Sequence, residues 1–120
     1  MGLTHVTVKL TPVSGGNGAY EAGFLVDTGA TDSMAPAAAL AKAGIKPAGR
    51  TKYELADGTV QEYPFGLVQI EVLGEITAGR VIFGPDGVEP LLGVTALESM
   101  GFTVDPGRQT LKRLPAISLK

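Results

Sequence analysis

Phe24-Leu25-Val26-Asp27-Thr28-Gly29-Ala30-Thr31 sets an acid on a turn at the end of an apolar run. Phe24, Leu25 and Val26 read as a buried strand, since a short apolar run bounded by turn residues has strand length. Gly29 allows a backbone conformation that a side chain would obstruct. Asp27 is thereby held at the mouth of a hydrophobic core, where a carboxylate is costly unless it is hydrogen-bonded or has chemistry to perform. Asp27 is the candidate catalytic group, and Thr28 and Gly29 form the turn that presents it.

The chain on either side is built of short extended segments. Upstream, Val6, Val8 and Leu10 alternate with Thr7 and Lys9, the pattern of a strand with one solvated face, and Pro12 ends it. Ser14-Gly15-Gly16-Asn17-Gly18 is glycine-rich but lacks a following Gly-Lys-Ser/Thr, so it reads as a hairpin turn rather than a phosphate loop. Downstream, Pro36 to Gly44 predicts a short helix, with proline in its first turn and glycine at its end. Tyr53 to Tyr63 predicts a hairpin tipped by Asp57-Gly58. Val68, Ile70 and Val72 form another alternating strand, with a turn at Gly74, and Val81-Ile82-Phe83 reads as a buried strand that stops at Gly84. Leu91 to Val94, a helical turn or two over Ala96–Met100 and a last hairpin about Pro106-Gly107 complete the chain. The expectation is a single domain over residues 1–120, all-β and barrel-like, with one or two short helices.

Composition agrees and removes several function classes. With 44% apolar and 18% charged residues, the 120-residue chain is globular rather than disordered, and long enough for one modest core. Seventeen Gly and eight Pro imply frequent turns between short elements. A net charge of -2 gives no electrostatic footprint for nucleic acid, and Lys112-Arg113 with Lys120 read as a solvated face. Cysteine is absent, which excludes disulfides, thiol catalysis and thiolate metal sites. His5 is the only histidine and lies in the first alternating strand, so neither a zinc site nor a histidine base is expected. Residues 1–6 lack the charged-then-apolar pattern of a secretory leader, and Val6 stands where a myristoylation signal carries Ser or Thr. No apolar run reaches membrane-spanning length, so a cytoplasmic protein without a membrane partner is expected.

Asp27-Thr28-Gly29, extended by Ala30 and Thr31, resembles the active-site turn of retropepsin-like (retroviral-type) aspartic proteases. The hairpin tipped by Asp57-Gly58 lies where that family has its flap, and Leu91-Leu92-Gly93 before a short helix is similar to the family's late apolar-apolar-Gly motif. Together these features cover most of residues 20 to 105. The resemblance implies a small closed barrel of the acid-protease type and hydrolysis of peptide bonds in an extended polypeptide. It also implies two carboxylates sharing one site. The motif occurs once here, so a homodimer is expected, with one Asp27 from each subunit. By the same resemblance, Ala30 and Asp32 contact substrate beside the acid turn, and Ala56, Asp57, Gly58 and Thr59 form the flap tip that covers it. Leu111, Leu114, Ile117 and Leu119 are the apolar positions near the chain end that would hold the pair together. Thr31 is neutral where the family often carries an acid, and the flap tip is Asp-Gly rather than glycine-rich and apolar. The flap-tip departure points to a cellular, bacterial relative.

Other readings compete. The same barrel could serve as a non-catalytic peptide-binding or dimerisation module, although binding alone does not require an intact Asp27-Thr28-Gly29. Asp57, Asp86 and Asp105 are also ordinary turn formers, and Asp32 is also a turn or helix-capping residue. Asp-Thr-Gly-Ala-Thr is similar to the phosphate loop of actin-like ATPases, but that fold needs two α/β halves and far more chain, and is rejected.

Overall fold

The computed structural model describes residues 4–119. Among the described residues there are nine strands and two helices. In chain order they are β1 (His5–Pro12), β2 (Tyr20–Asp27), β3 (Ser33–Pro36), α1 (Ala37–Lys42), β4 (Gly49–Glu54) and β5 (Val60–Val72). Then come β6 (Glu75–Gly84), β7 (Leu91–Gly93), α2 (Val94–Met100), β8 (Phe102–Asp105) and β9 (Thr110–Arg113). The strand order β1-β2-β7-β3-β6-β5, with β5 returning to pair with β1, closes a six-stranded barrel. β4 extends from β5 outside that ring, and β8 pairs with β9 in a separate ribbon. The expected all-β barrel with short helices is the fold observed. No helix among the described residues is long and apolar enough to cross a membrane.

Closing the ring removes free sheet edges and turns one face of each strand inward. Val8 and Leu10 of β1, Phe24 of β2, Val68, Ile70 and Val72 of β5, Val81 of β6 and Leu92 of β7 meet in one apolar cluster. Leu40 from α1, Leu97 from α2 and Phe102 from β8 close its ends. The alternation in the sequence predicts this for β1 and β5, where Thr7, Lys9, Gln69 and Leu67 face solvent.

Three elements differ from expectation. Ser33–Pro36 is a strand, though only its central pair is apolar. It becomes one because partners lie on both sides, β6 running parallel and β7 antiparallel. Next, the flap's return arm and the later alternating segment are one strand, β5. Residues up to Phe65 pair with β4, and residues from Phe65 onward pair with β6. Pro64 and Gly66 read as an interruption in sequence, but here they mark where β5 exchanges one partner for the other, a position that tolerates a missing N–H. Finally, β6 begins at Glu75, well before the apolar Val81-Ile82-Phe83. Its stretch from Glu75 to Arg80 is held by six consecutive register positions with β5 rather than by burial.

The crossing of β7 between β2 and β3 positions the acid turn. β7 runs parallel to β2, with Leu25 opposite Leu91, Val26 opposite Leu92 and Asp27 opposite Gly93. The end of β2 and the start of α2 are thus brought side by side.

Candidate active site

Asp27 is the last residue of β2 and is half-buried. Two hydrogen bonds close the turn that follows. The Gly29 N–H donates to Asp27 Oδ1 at 3.0 Å, and the Ala30 N–H donates to the Asp27 carbonyl at 3.1 Å. The first of these orients the carboxylate. Gly29 is not in the left-handed region. Its need is spatial: a β-carbon there would lie 3.3 Å from Asp27 Oδ1.

From below, the turn is braced by β7 and α2. The Val94 N–H donates to the Ala30 carbonyl at 2.8 Å, and the Thr95 N–H to the Thr31 carbonyl at 3.2 Å. The Gly93 N–H donates to the buried Ser33 Oγ at 3.0 Å. Donors at the start of a helix lack partners within it, and here the acid turn supplies them. This explains the motif Leu91-Leu92-Gly93. Leu92 is fully buried in the core, while Gly93 lets two backbones touch. A β-carbon on Gly93 would sit 2.6 Å from the Asp32 carbonyl carbon and 2.8 Å from the Thr31 oxygen, which no residue with a side chain could accommodate.

Between the acid turn and the β4–β5 hairpin lies a cleft of about 360 Å³. Gly29, Ala30, Thr31 and Asp32 form one wall, and Lys52 to Leu55 of the hairpin form the other. Met34, Tyr63, Ile82 and Leu91 give it an apolar lining. Among the positions read from sequence, the cleft is lined by Gly29, Ala30 and Asp32; Asp27 lies behind Gly29 and is not itself a lining residue. Thr28 is exposed on the other side of the turn, lining a separate groove of about 440 Å³ with Leu97, Phe102, Val104 and Ile117.

The hairpin tip stands apart from the cleft lining. Ala56, Asp57, Gly58 and Thr59 are exposed. Asp57 Oδ1 accepts hydrogen bonds from the Thr59 N–H at 2.9 Å and the Thr59 hydroxyl at 2.6 Å. The hydroxyl bond first, then the backbone bond, holds the Asp57 carboxyl below its ordinary value. Its carboxylate thus fastens its own turn.

Asp32 has a partner that the sequence did not reveal. The Tyr53 hydroxyl donates to Asp32 Oδ2 at 2.6 Å. Burial, then the Asp32 hydrogen bond and charge, push the Tyr53 phenol above its usual 10.0, while Arg80 acts against them. Tyr53, Tyr63, Leu55 and Met34 are among the cleft residues that sequence reading missed. The alternation Thr51, Tyr53 against Lys52, Glu54 signals an inward face on β4, but nothing local says what that face meets.

The chain matches the family described as "gag-polyprotein putative aspartyl protease" over residues 16–99, well over half its length. No curated protein matches it. The matched span contains the acid turn, the hairpin, Leu91-Leu92-Gly93 and most of α2, the same elements that build the cleft. A closed barrel that carries Asp-Thr-Gly where β2 meets α2 agrees with that match, and the chain belongs to this family of retropepsin-like aspartic proteases.

Proposed function

We propose that two copies of this single-domain chain form an aspartic endopeptidase, with Asp27 of each subunit providing half of a shared dyad. The observation that carries this reading is the placement of Asp27. It is a carboxylate oriented by the Gly29 N–H, at the end of a core strand, beside a cleft roofed by a hairpin, and it occurs once per chain.

Two carboxylates about 3 Å apart do not both ionise, so one proton is shared between them. The ionised member takes a proton from a bound water as that water attacks the scissile carbonyl carbon. The protonated member hydrogen-bonds the carbonyl oxygen as charge gathers there. Collapse of the tetrahedral intermediate breaks the C–N bond, and a proton from the dyad passes to the leaving amine. The substrate is an extended polypeptide, bound by backbone hydrogen bonds between the acid-turn wall and the hairpin. Ala30 contributes through its backbone. Asp32, with Oδ2 held by Tyr53, contributes through its remaining oxygen and its backbone. Ala56 to Thr59 close over the chain and exclude water. No metal or organic cofactor takes part, and the proposed location is the cytoplasm, in keeping with a chain free of cysteine.

Mixing wild-type and Asp27→Asn subunits tests this reading. When subunits exchange freely, activity on an unfolded protein falls as the square of the wild-type fraction, because a mixed pair has one acid. A linear fall would mean that each subunit works alone and would overturn the shared dyad.

A further inference from the structure

We propose that Tyr53 is a positioning residue: its hydrogen bond to Asp32 sets the height of the β4–β5 hairpin above the acid turn and so the width of the cleft. This rests on the reading of that cleft as a peptidase site.

Among the described residues, the strand partner of β4 is β5 alone. The arm of β5 beside β4 has left the barrel, since its pairing with β6 starts at Phe65. Such a two-stranded ribbon, fixed at one end, is free to swing about Pro64–Gly66 unless something ties it down. The inward face of β4 carries two ties. Nearer the barrel, the Arg80 Nη1 of β6 donates to Thr51 Oγ1 at 2.8 Å, with the guanidinium 4.1 Å from the centre of the Phe65 ring. Nearer the tip, Tyr53 reaches Asp32 at 2.6 Å.

The two ties differ in what they hold. Arg80 joins the hairpin to β6, remote from Asp27 in sequence. Asp32 lies five residues beyond Asp27, with its backbone against Gly93 and its neighbour Ser33 buried under the Gly93 N–H. Tyr53 therefore joins the roof of the cleft to the segment that carries the acid. A phenol donating to a carboxylate is a charge-assisted bond, stronger than a neutral one. The Tyr53 ring also leans on Tyr63, with centroids 6.3 Å apart, which fixes the hydroxyl's direction.

Tyr53→Phe keeps the ring and removes the tie. Amide hydrogen exchange, measured on substrate-free protein, is expected to quicken about tenfold over residues 52–60, with β1 and the core half of β6 unchanged. On a peptide substrate, KM is expected to rise about tenfold while kcat changes less than threefold. In hairpin exchange, Asp32→Asn, whose amide oxygen still accepts, should give a smaller effect, and the double variant should exchange no faster than Tyr53→Phe. Unchanged exchange in the hairpin, or additive effects of the two substitutions on that exchange, would overturn the proposal. Faster exchange with an unaltered KM in an active enzyme would overturn it too. If neither wild type nor variant cleaves any peptide while exchange divides as expected, the tie stands and the peptidase reading falls.

Discussion

A β-carbon on Gly93 would meet the Thr31–Asp32 backbone at 2.6–2.8 Å, and backbone, unlike a flexible side chain, cannot step aside cheaply. Gly93→Ala is therefore expected to cost about 1–3 kcal/mol, the usual range for overpacking, and to displace the acid turn. Urea denaturation gives the first quantity, and loss of cleavage in folded protein reports the second. Asp27→Asn makes the opposite separation. The amide oxygen still accepts the Gly29 N–H, so stability should change by about 1 kcal/mol or less while cleavage disappears. Tyr53 gives a pH signature. Its folded-state pKa is raised above the ordinary 10.0, so its contribution to stability is complete below about pH 10 and is lost as pH climbs through the folded value. In wild type the urea midpoint should drop between pH 9 and 11 by more than it does in Tyr53→Phe. Equal drops would show that the phenol titrates alike in both states. Asp27-Thr28-Gly29 was legible because its meaning is local. The pairing of Tyr53 with Asp32 was not, because 21 residues separate them and nothing near either one in sequence points to the other.

Elements inherit their legibility from burial. β1 and the second half of β5 alternate because one face is wet, and both were read correctly from that pattern. β3 escaped notice because it is four residues long and earns its identity from two neighbours rather than from its own sequence. The flap hairpin was legible from Asp57-Gly58, whereas its continuity with the barrel through Pro64 was not, since proline locally signals a break. α2 is the element that links core to site. Leu97 is 2% exposed, and the helix start hydrogen-bonds to Ala30 and Thr31. Leu97→Ala should cost about 2–5 kcal/mol by urea denaturation. It should also reduce cleavage beyond the loss of folded protein, because the bracing donors of Val94 and Thr95 move with the helix.

On the scale of the whole molecule, the unusual feature is apolar surface beside the site. Leu114 is 45% and Ile117 57% exposed, and Ile117 borders the groove that Thr28 also lines. Leu111, read with them in sequence as a dimer contact, is half-buried and packs against the core. The proposed dimer buries the exposed pair, and burying one such side chain is worth about 1.5–3 kcal/mol. Leu114→Ser with Ile117→Ser should therefore weaken self-association at least about tenfold in sedimentation equilibrium. The urea midpoint of the separated subunit should stay where it is. Specific activity of wild type should fall on dilution through the same dissociation constant. Self-association unaltered by the double substitution would place the interface elsewhere.

Glycines, alternation and the Asp-Thr-Gly turn were enough to specify a short-stranded β fold and to single out one acid, since these signals depend on residues within a few positions of each other. The strand order β1-β2-β7-β3-β6-β5, the closure through β1 and β5, and the docking of Gly93 on the acid turn were beyond the reach of that reading. Each depends on contacts across tens of residues, where the free energy comes from a shared core and not from any segment's own preference. The acid was written in one stretch of chain; the cleft beside it exists only once the barrel has closed and the β4–β5 hairpin stands against the acid turn.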